Sequence, residues 1–431
     1  MRQISVELNS EKTPRRWYNI IPDLPSPLPP YKDSRDGTEM RSLPKIFTET
    51  ASRLEFSSKR WIDIPEKVYE ALIRCGRPFP LIRANRLEEH LQTCAKIYYK
   101  CENLQPVGAF KTNTAIPQAY WAMKEGYSRT VFAGSSSTRT KMAHAYAAKY
   151  FGLTPTVFMP KIDSEVNPEQ VLFLREMLGA DVQIVPSIEA HRNGLGDDTG
   201  QIDSMDIVRK RVEEEAEKPD AVAVISSILN HVLLTQTIMG LEVDEQISSI
   251  DEEPDTIIAP VGGGSNFYGW VAPFLRKKLR KELDVRLLAV ESETSAKLTQ
   301  GRYGYVRLQS PASSIFGKTY DFDMETPRPE IMGIGIQTSN TAPLLAYLKQ
   351  KGFIDTSVYP RNEKCIFEAA RIFLQTEGRL VAPESAYAVR AAIDEALRFK
   401  HIREEGVILL SVSALTNIDF GEKRRYLKFM K

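Results

Sequence analysis

Asp255-Thr-Ile-Ile-Ala259 runs directly into Pro260-Val-Gly-Gly-Gly-Ser-Asn-Phe267, and this junction decides how the rest of the 431-residue chain is read. An apolar run closed by three glycines and a hydroxyl predicts a buried strand whose tip opens into a loop of bare backbone N–H groups. Such a loop suits a phosphate held near a helix N-terminus. The same residues are compatible with a turn that only reverses the chain, because a glycine loop is a weak signal alone.

The flanking chain supplies the context. Strands are predicted at Lys96-Ile-Tyr-Tyr-Lys-Cys-Glu102, Val131-Phe-Ala133, Thr156-Val-Phe-Met159, Val182-Gln-Ile-Val185 and Ala221-Val-Ala-Val-Ile225, with helices over 114–125, 141–151, 167–178 and 205–217 between them. A polar insertion spans 191–203. Past the glycine loop the alternation resumes with a helix over 268–279, a strand at Val285-Arg-Leu-Leu-Ala-Val290, helices over 341–351, 362–376 and 385–399, and a strand at Gly406-Val-Ile-Leu-Leu-Ser411. This rhythm predicts two doubly wound α/β domains facing each other across a ligand-binding cleft. Upstream, Trp17-Tyr-Asn-Ile-Ile21 leads into Pro22-Asp-Leu-Pro-Ser-Pro-Leu-Pro-Pro30. The prolines forbid helix and central strand, and the apolar residues between them predict an ordered extension lying on another surface. A short amphipathic helix is predicted over 64–73, with Pro65 at its start and Val68, Leu72 and Ile73 on one face. Arg77-Pro-Phe-Pro-Leu-Ile82 reads as extended chain.

Composition narrows the function classes. Lys+Arg 57 against Asp+Glu 56 leaves a formal charge of +1, so no basic field draws the whole protein to nucleic acid or a membrane surface, and a small-molecule partner is expected. There is no N-terminal apolar h-region and no run of ~18 apolar residues, so a cytoplasmic protein is expected. Cys75, Cys94, Cys101 and Cys365 show no C-x-x-C spacing and the five histidines do not cluster with them, so no metal site is expected.

Pro106-Val-Gly-Ala-Phe-Lys-Thr-Asn-Thr-Ala115 sets Lys111 between a glycine turn and a helix. A lysine there can reach into a cleft, where partial desolvation makes its amine a nucleophile for Schiff-base formation; a surface lysine at a helix start fits the same spacing.

Lys111 with Asn113, the Gly262-Gly-Gly-Ser-Asn266 loop, Asn230-His-Val-Leu-Leu-Thr-Gln-Thr237, Ala382-Pro-Glu-Ser-Ala386 and Ser413 stand in the order found in the tryptophan synthase β chain family. The Trp17–Pro25 run and Gly76-Arg-Pro-Phe-Pro-Leu resemble its second, stand-alone branch, and the resemblance covers nearly the whole chain. It implies a fold-type II architecture with pyridoxal 5′-phosphate in the interdomain cleft. By it, Lys111 carries the cofactor, Gly262, Gly263, Gly264, Ser265 and Asn266 bind its phosphate, Asn113 faces the ring hydroxyl, Glu384 lies beside the ring and Ser413 bonds the pyridine nitrogen. A neutral serine at that nitrogen suits β-elimination and β-replacement through an aminoacrylate. The resemblance further implies a homodimer without an α-chain partner. It divides the chain into an extension (1–76), a larger cofactor-binding domain (77–110 plus 227–431) and a smaller, mobile substrate-side domain (111–226).

The departures matter as much. The family's Ser-His before the lysine is Ala109-Phe110 here. Its Glu-Thr-Gly-Ala-Gly-Gln-[His/Trp]-Gly loop aligns on Gly134-Ser-Ser-Ser-Thr-Arg-Thr-Lys141, which places Gly134 where the acid that activates indole belongs. Ser135, Ser136, Ser137, Thr138 and Arg139 still offer hydroxyls, N–H groups and a guanidinium to a substrate carboxylate. Gln337 falls where the branch has an arginine suited to a phosphorylated serine. The expected reaction is formation of L-tryptophan from indole and L-serine or O-phospho-L-serine. The alternatives are an amino-acid β-lyase or dehydratase, a β-replacement enzyme with another nucleophile, and a paralogue without catalysis.

Overall fold

The computed structural model describes residues 4–134, 138–186, 204–323, 333–360 and 363–414; the predicted insertion at 191–203 lies outside them. Sixteen strands occur among the described residues: β1 (Ser5–Val6), β2 (Arg16–Tyr18), β3 (Lys32–Asp33), β4 (Trp61–Asp63), β5 (Leu81–Arg83), β6 (Lys96–Cys101), β7 (Arg129–Ala133), β8 (Thr154–Pro160), β9 (Asp181–Val185), β10 (Ala221–Val224), β11 (Thr256–Pro260), β12 (Arg286–Ser292), β13 (Arg302–Arg307), β14 (Ile315–Asp321), β15 (Asp355–Tyr359) and β16 (Val407–Val412).

Two sheets carry the α/β alternation. The larger has the order β1-β5-β6-β16-β11-β12-β15, and the smaller β10-β7-β8-β9. All pairings in the smaller sheet are parallel. In the larger, β6 to β15 run parallel, while β5 is antiparallel to β6 and β1 antiparallel to β5, so this sheet is mixed at one edge rather than parallel throughout. That antiparallel edge is built from β1 of the N-terminal segment and from β5, which reaches β6 through the short helix Asn85–Leu91.

Strand β11 lies at the centre of the five parallel strands and shows why an unbroken apolar run was needed. Ile258 packs into the core beneath the helices Lys364–Glu377 and Pro383–Ile402, while Ile257 and Ala259 pack on the opposite face against the helices Ile238–Ser248, Ser265–Leu279 and Pro343–Gln350. A parallel strand covered on both faces alternates sides without alternating polarity. The smaller sheet is covered by the helices Thr112–Lys124, Thr138–Tyr150 and Ser204–Ala216.

The N-terminal extension is ordered. Strand β2 pairs with β4, Trp17 and Tyr18 are buried, and Trp17 meets Trp121 edge to face at 6.4 Å. Each buried aromatic removes ~150–250 Å² from water, roughly 4–6 kcal/mol at ~25 cal/mol/Å², enough to offset the backbone entropy of several ordered residues. Tyr18 N–H donates to Thr237 Oγ1 at 3.1 Å, and Ser26 N–H to Tyr347 Oη at 3.1 Å. The expected helix near Pro65 is Glu66–Arg74, capped by that proline, with Val68 and Leu72 buried.

Several elements differ from the sequence expectation. The helix after the glycine loop begins at Ser265, three residues earlier than 268, and the one after β7 begins at Thr138 rather than 141. Segment 167–178 is a short α-helix, Pro168–Leu172, followed by a π-helical turn, Phe173–Met177. The hairpin β13–β14, strand β15 and the helices Asn230–Gln236 and Ile238–Ser248 were not anticipated.

Candidate active site

Strand ends of both sheets converge on one cavity. The C-terminal tip of β11 supplies Pro260 and Gly262–Asn266, the tip of β10 supplies Ser226 and Ser227, the tip of β16 supplies Ser413 and Ala414, and the tip of β7 supplies Phe132 and Ala133. The carboxyl ends of parallel strands are where folds of this kind take ligands.

The glycines are required by their neighbours. A Cβ on Gly262 would lie 2.7 Å from the backbone oxygen of Gly335, one on Gly263 would lie 2.2 Å from Ser227 Oγ, and Gly264 has φ +102°, a left-handed backbone that favours glycine. No backbone carbonyl among the described residues accepts from the N–H of Gly262 or Gly263. The loop then enters the helix Ser265–Leu279, whose first-turn N–H groups face the same space. Asn266 Nδ2 and Gln337 Nε2 are buried donors with no partner among the described residues, and both side chains line the cavity. Open backbone donors, a helix N-terminus and two orphaned amide donors fit a phosphorylated, anionic occupant.

Lys111 stands on the floor of this space. Its Nζ donates to Ser226 O at 2.9 Å and Ser265 Oγ at 3.2 Å, and lies 4.7 Å from the centre of the Phe110 ring. Burial pushes its ammonium down to about 7, with Glu384 opposing the shift. The neutral, nucleophilic form of the amine is therefore accessible near neutral pH. In the cofactor-free protein this depressed value means that the folded state binds fewer protons than the unfolded chain between about 7 and the ordinary lysine value. Lys111 therefore contributes stability that is complete above the unfolded value and lost as pH falls through about 7. Urea unfolding at pH 7 and pH 9.5 is expected to show a gain in wild type that Lys111→Met lacks; superimposable pH dependences would contradict the buried amine.

The other sequence-predicted residues divide. Glu384 reaches the cavity, where its Oε1 accepts from Gly335 N–H at 2.8 Å and its Oε2 from Arg139 Nη2 at 3.1 Å. Arg139 thus spans from the helix over the smaller sheet to the first turn of the helix Pro383–Ile402. Ser413 lines the cavity, its Oγ 3.3 Å from Ser385 Oγ, and Gln337 lines it with Oε1 held by Thr294 Oγ1 at 3.0 Å. Asn113 is not brought to the cavity wall. Its amide is taken up by a buried network in which Oδ1 accepts from Arg77 Nη2 at 2.7 Å and Nδ2 donates to Gln236 Oε1 at 3.1 Å. That network joins Arg77 and Lys100 to Glu102 and Glu242, so its two cations and two anions balance. Thr138 is likewise not on the cavity wall; its hydroxyl donates to Gln170 Oε1 at 3.2 Å. Ser135, Ser136 and Ser137 lie outside the described residues.

Gly134 has a steric reason to be glycine. A Cβ there would sit 2.8 Å from Lys141 Cδ and 2.9 Å from the Phe158 carbonyl oxygen, so this position carries no acid. Among the described residues, Glu384 is the one carboxylate lining the cavity. Sequence reading missed Phe132, Thr140, Arg209, Ser226, Ser227 and Gln309, which also line it. The serine pair was recoverable in principle, since it follows the apolar strand β10 at its carboxyl end. No group of three or more potential ligands for a metal ion occurs among the described residues.

The profile of the pyridoxal-phosphate dependent enzymes matches residues 73–414. Over 418 residues the chain is 36% identical to a tryptophan synthase beta chain 1 of Sulfurisphaera tokodaii, covering 96% of this chain and 97% of that one. It is 38% identical over 414 residues to a tryptophan synthase beta chain of Thermococcus onnurineus, covering 94% and 92%. Among solved structures, maize serine racemase superposes with a TM-score of 0.58 at 22% identity over 85% of this chain and 98% of that one. A threonine deaminase isoform of Solanum lycopersicum gives 0.61 at 16% identity, over 85% and 94%. At those identities the structural likeness bears on fold alone.

Proposed function

The chain belongs to the pyridoxal-phosphate dependent enzymes and, within them, to the tryptophan synthase β chain family, and on that footing we propose that it makes L-tryptophan by joining indole to the three-carbon unit of L-serine or O-phospho-L-serine. The observation that carries the reading is a buried Lys111 amine, drawn well below the ordinary lysine value, on the floor of a glycine-lined cavity where Glu384 is the one carboxylate among the described lining residues. Lys111 would hold the cofactor, with Gly262–Asn266 on its phosphate and Ser413 on its ring nitrogen. Pyridoxal phosphate, when bound, supplies an electron sink for negative charge at the amino acid's Cα. Lys111 then serves as the base that takes the Cα proton and later returns it, a role worth about 10²–10⁴ in rate. The Arg139 guanidinium, which donates to Glu384, would offer a fork to the substrate carboxylate, and Glu384 would move a proton on the acceptor. The apolar walls at Phe110, Phe132 and Ile336 exclude water.

A second reading is favoured by Gly134: where no acid fits, indole loses its usual activator, and a different nucleophile, or water giving a 2-oxo acid and ammonia, becomes the acceptor. Absorbance of the cofactor-loaded protein with L-serine, O-phospho-L-serine and L-threonine, each with and without indole, separates the two. The first reading expects a donor-induced spectral change that indole reverses, with L-tryptophan accumulating. A change that indole leaves untouched, with pyruvate release, would support the second.

We further take residues 111–226 as the moving substrate-side domain against 77–110 plus 227–431, with 1–76 as an extension, and the enzyme as a cytoplasmic homodimer without an α-chain partner. No helix among the described residues is long and apolar enough to cross a membrane.

A further inference from the structure

Lys297 is buried without exposure behind the glycine loop and takes no part in the reaction outlined above. An ammonium has three N–H donors, and three oxygens stand within reach of its Nζ: Val261 O at 3.2 Å, Ser295 O at 3.0 Å and Ser295 Oγ at 3.2 Å. Glu291 Oε1 lies 3.6 Å away, but both oxygens of that carboxylate are already engaged by the Leu298 and Thr299 N–H groups and the Thr299 hydroxyl. An all-oxygen shell of this kind suits a cation in a place where burial alone disfavours one.

The identity of the first oxygen matters. Val261 O and Gly262 N–H belong to one peptide, which is trans and therefore points them in opposite directions. Lys297 holds the carbonyl from behind, so the N–H is aimed forward, on the side where Gly262 lines the cavity. Withdrawing electron density at the carbonyl also strengthens that N–H as a donor. Ser295, the second ligand of the ammonium, bridges to the opposite wall: its Oγ lies 3.1 Å from Ile336 O and accepts from Thr338 N–H at 3.1 Å, on either side of Gln337. The same wall presses Gly335 against Gly262.

We propose that Lys297 is a positioning residue for the cofactor phosphate: a built-in cation that fixes and polarises the Val261–Gly262 peptide so that its N–H meets the phosphate, and ties that loop to the segment bearing Gln337. The proposal rests on the cofactor assignment made above, and its test separates the two. Cofactor-free wild type, Lys297→Met and Lys297→Gln are titrated with pyridoxal 5′-phosphate and with pyridoxal, which lacks the phosphate, by fluorescence quenching, with thermal unfolding of each protein as a folding check. Lys297→Met is expected to weaken pyridoxal 5′-phosphate binding on the order of 10- to 100-fold while pyridoxal binding stays within about twofold, as loss of a charge-assisted contact to the phosphate side alone requires. Lys297→Gln, which keeps an N–H for Val261 O without the charge, is expected to fall between, and it carries the comparison if the methionine variant does not fold. Equal losses for both ligands, or no loss for either, would overturn the positioning role. A wild-type protein that binds neither would instead overturn the cofactor assignment.

Discussion

Lys111→Met is expected to lose turnover by about 10⁴-fold or more, and to lose covalent attachment of the cofactor altogether. Borohydride treatment of wild type is expected to fix the cofactor on the peptide containing residue 111, as read by mass spectrometry, and no other peptide should replace it in the variant. The size follows from two roles resting on one nitrogen: a nucleophile for the cofactor aldehyde and a proton carrier at Cα, the second alone worth about 10²–10⁴. Lys111→Arg is no rescue, because a guanidinium stays charged where burial favours the neutral amine. Turnover within tenfold of wild type in the methionine variant would show that another group does the chemistry.

Gly262→Ala is the second large effect. The added methyl would meet Gly335 O at 2.7 Å and Ile336 Cα at 3.0 Å, both backbone, so relief requires parting two chain segments rather than turning a side chain. Overpacking of that kind costs about 1–3 kcal/mol, and here the strain falls on the loop that meets the phosphate, so cofactor affinity is expected to fall roughly 5- to 150-fold. The measurement is the dissociation constant for pyridoxal 5′-phosphate, with the melting temperature of the cofactor-free protein alongside. A variant that melts early but binds the cofactor normally would place the strain elsewhere.

The sheets were legible because their strands are buried on both faces and therefore read as apolar runs that helical periodicity does not imitate: Thr256–Pro260 and Val407–Val412 are of this kind. Asn230–Gln236 was missed for the mirror reason, since a helix buried on nearly every side shows no amphipathic stripe. In the hairpin Arg302–Asp321 one strand is exposed or half-buried throughout, and the buried face of the other holds Ile315, Gly317 and Thr319, too little apolar surface to mark a strand. In the cavity, glycine and lysine spacing left the loop at 262–266 and Lys111 open between a functional and a plain reading, and the family resemblance singled them out, whereas Arg209 and Gln309 come from elements distant in sequence and carry no local mark. Asn113 lies two residues beyond Lys111, about 200° around the helix, and its amide is taken by Arg77 rather than facing the cavity.

The N-terminal extension has a consequence for synthesis. Tyr18 is fastened to a residue 219 positions later and Ser26 to one 321 positions later. At ~5–20 residues per second, tens of seconds separate the emergence of this segment from that of its last partner. Trp17 gains β4 and Trp121 early in that interval, but Tyr18 and Ile20 wait for the later core residues, from Leu233 to Leu348, that complete their cluster. The segment that emerges before its partners is thus among the last to be seated, and in a cell it presents a greasy handle that holdase chaperones can grip until the late helices arrive.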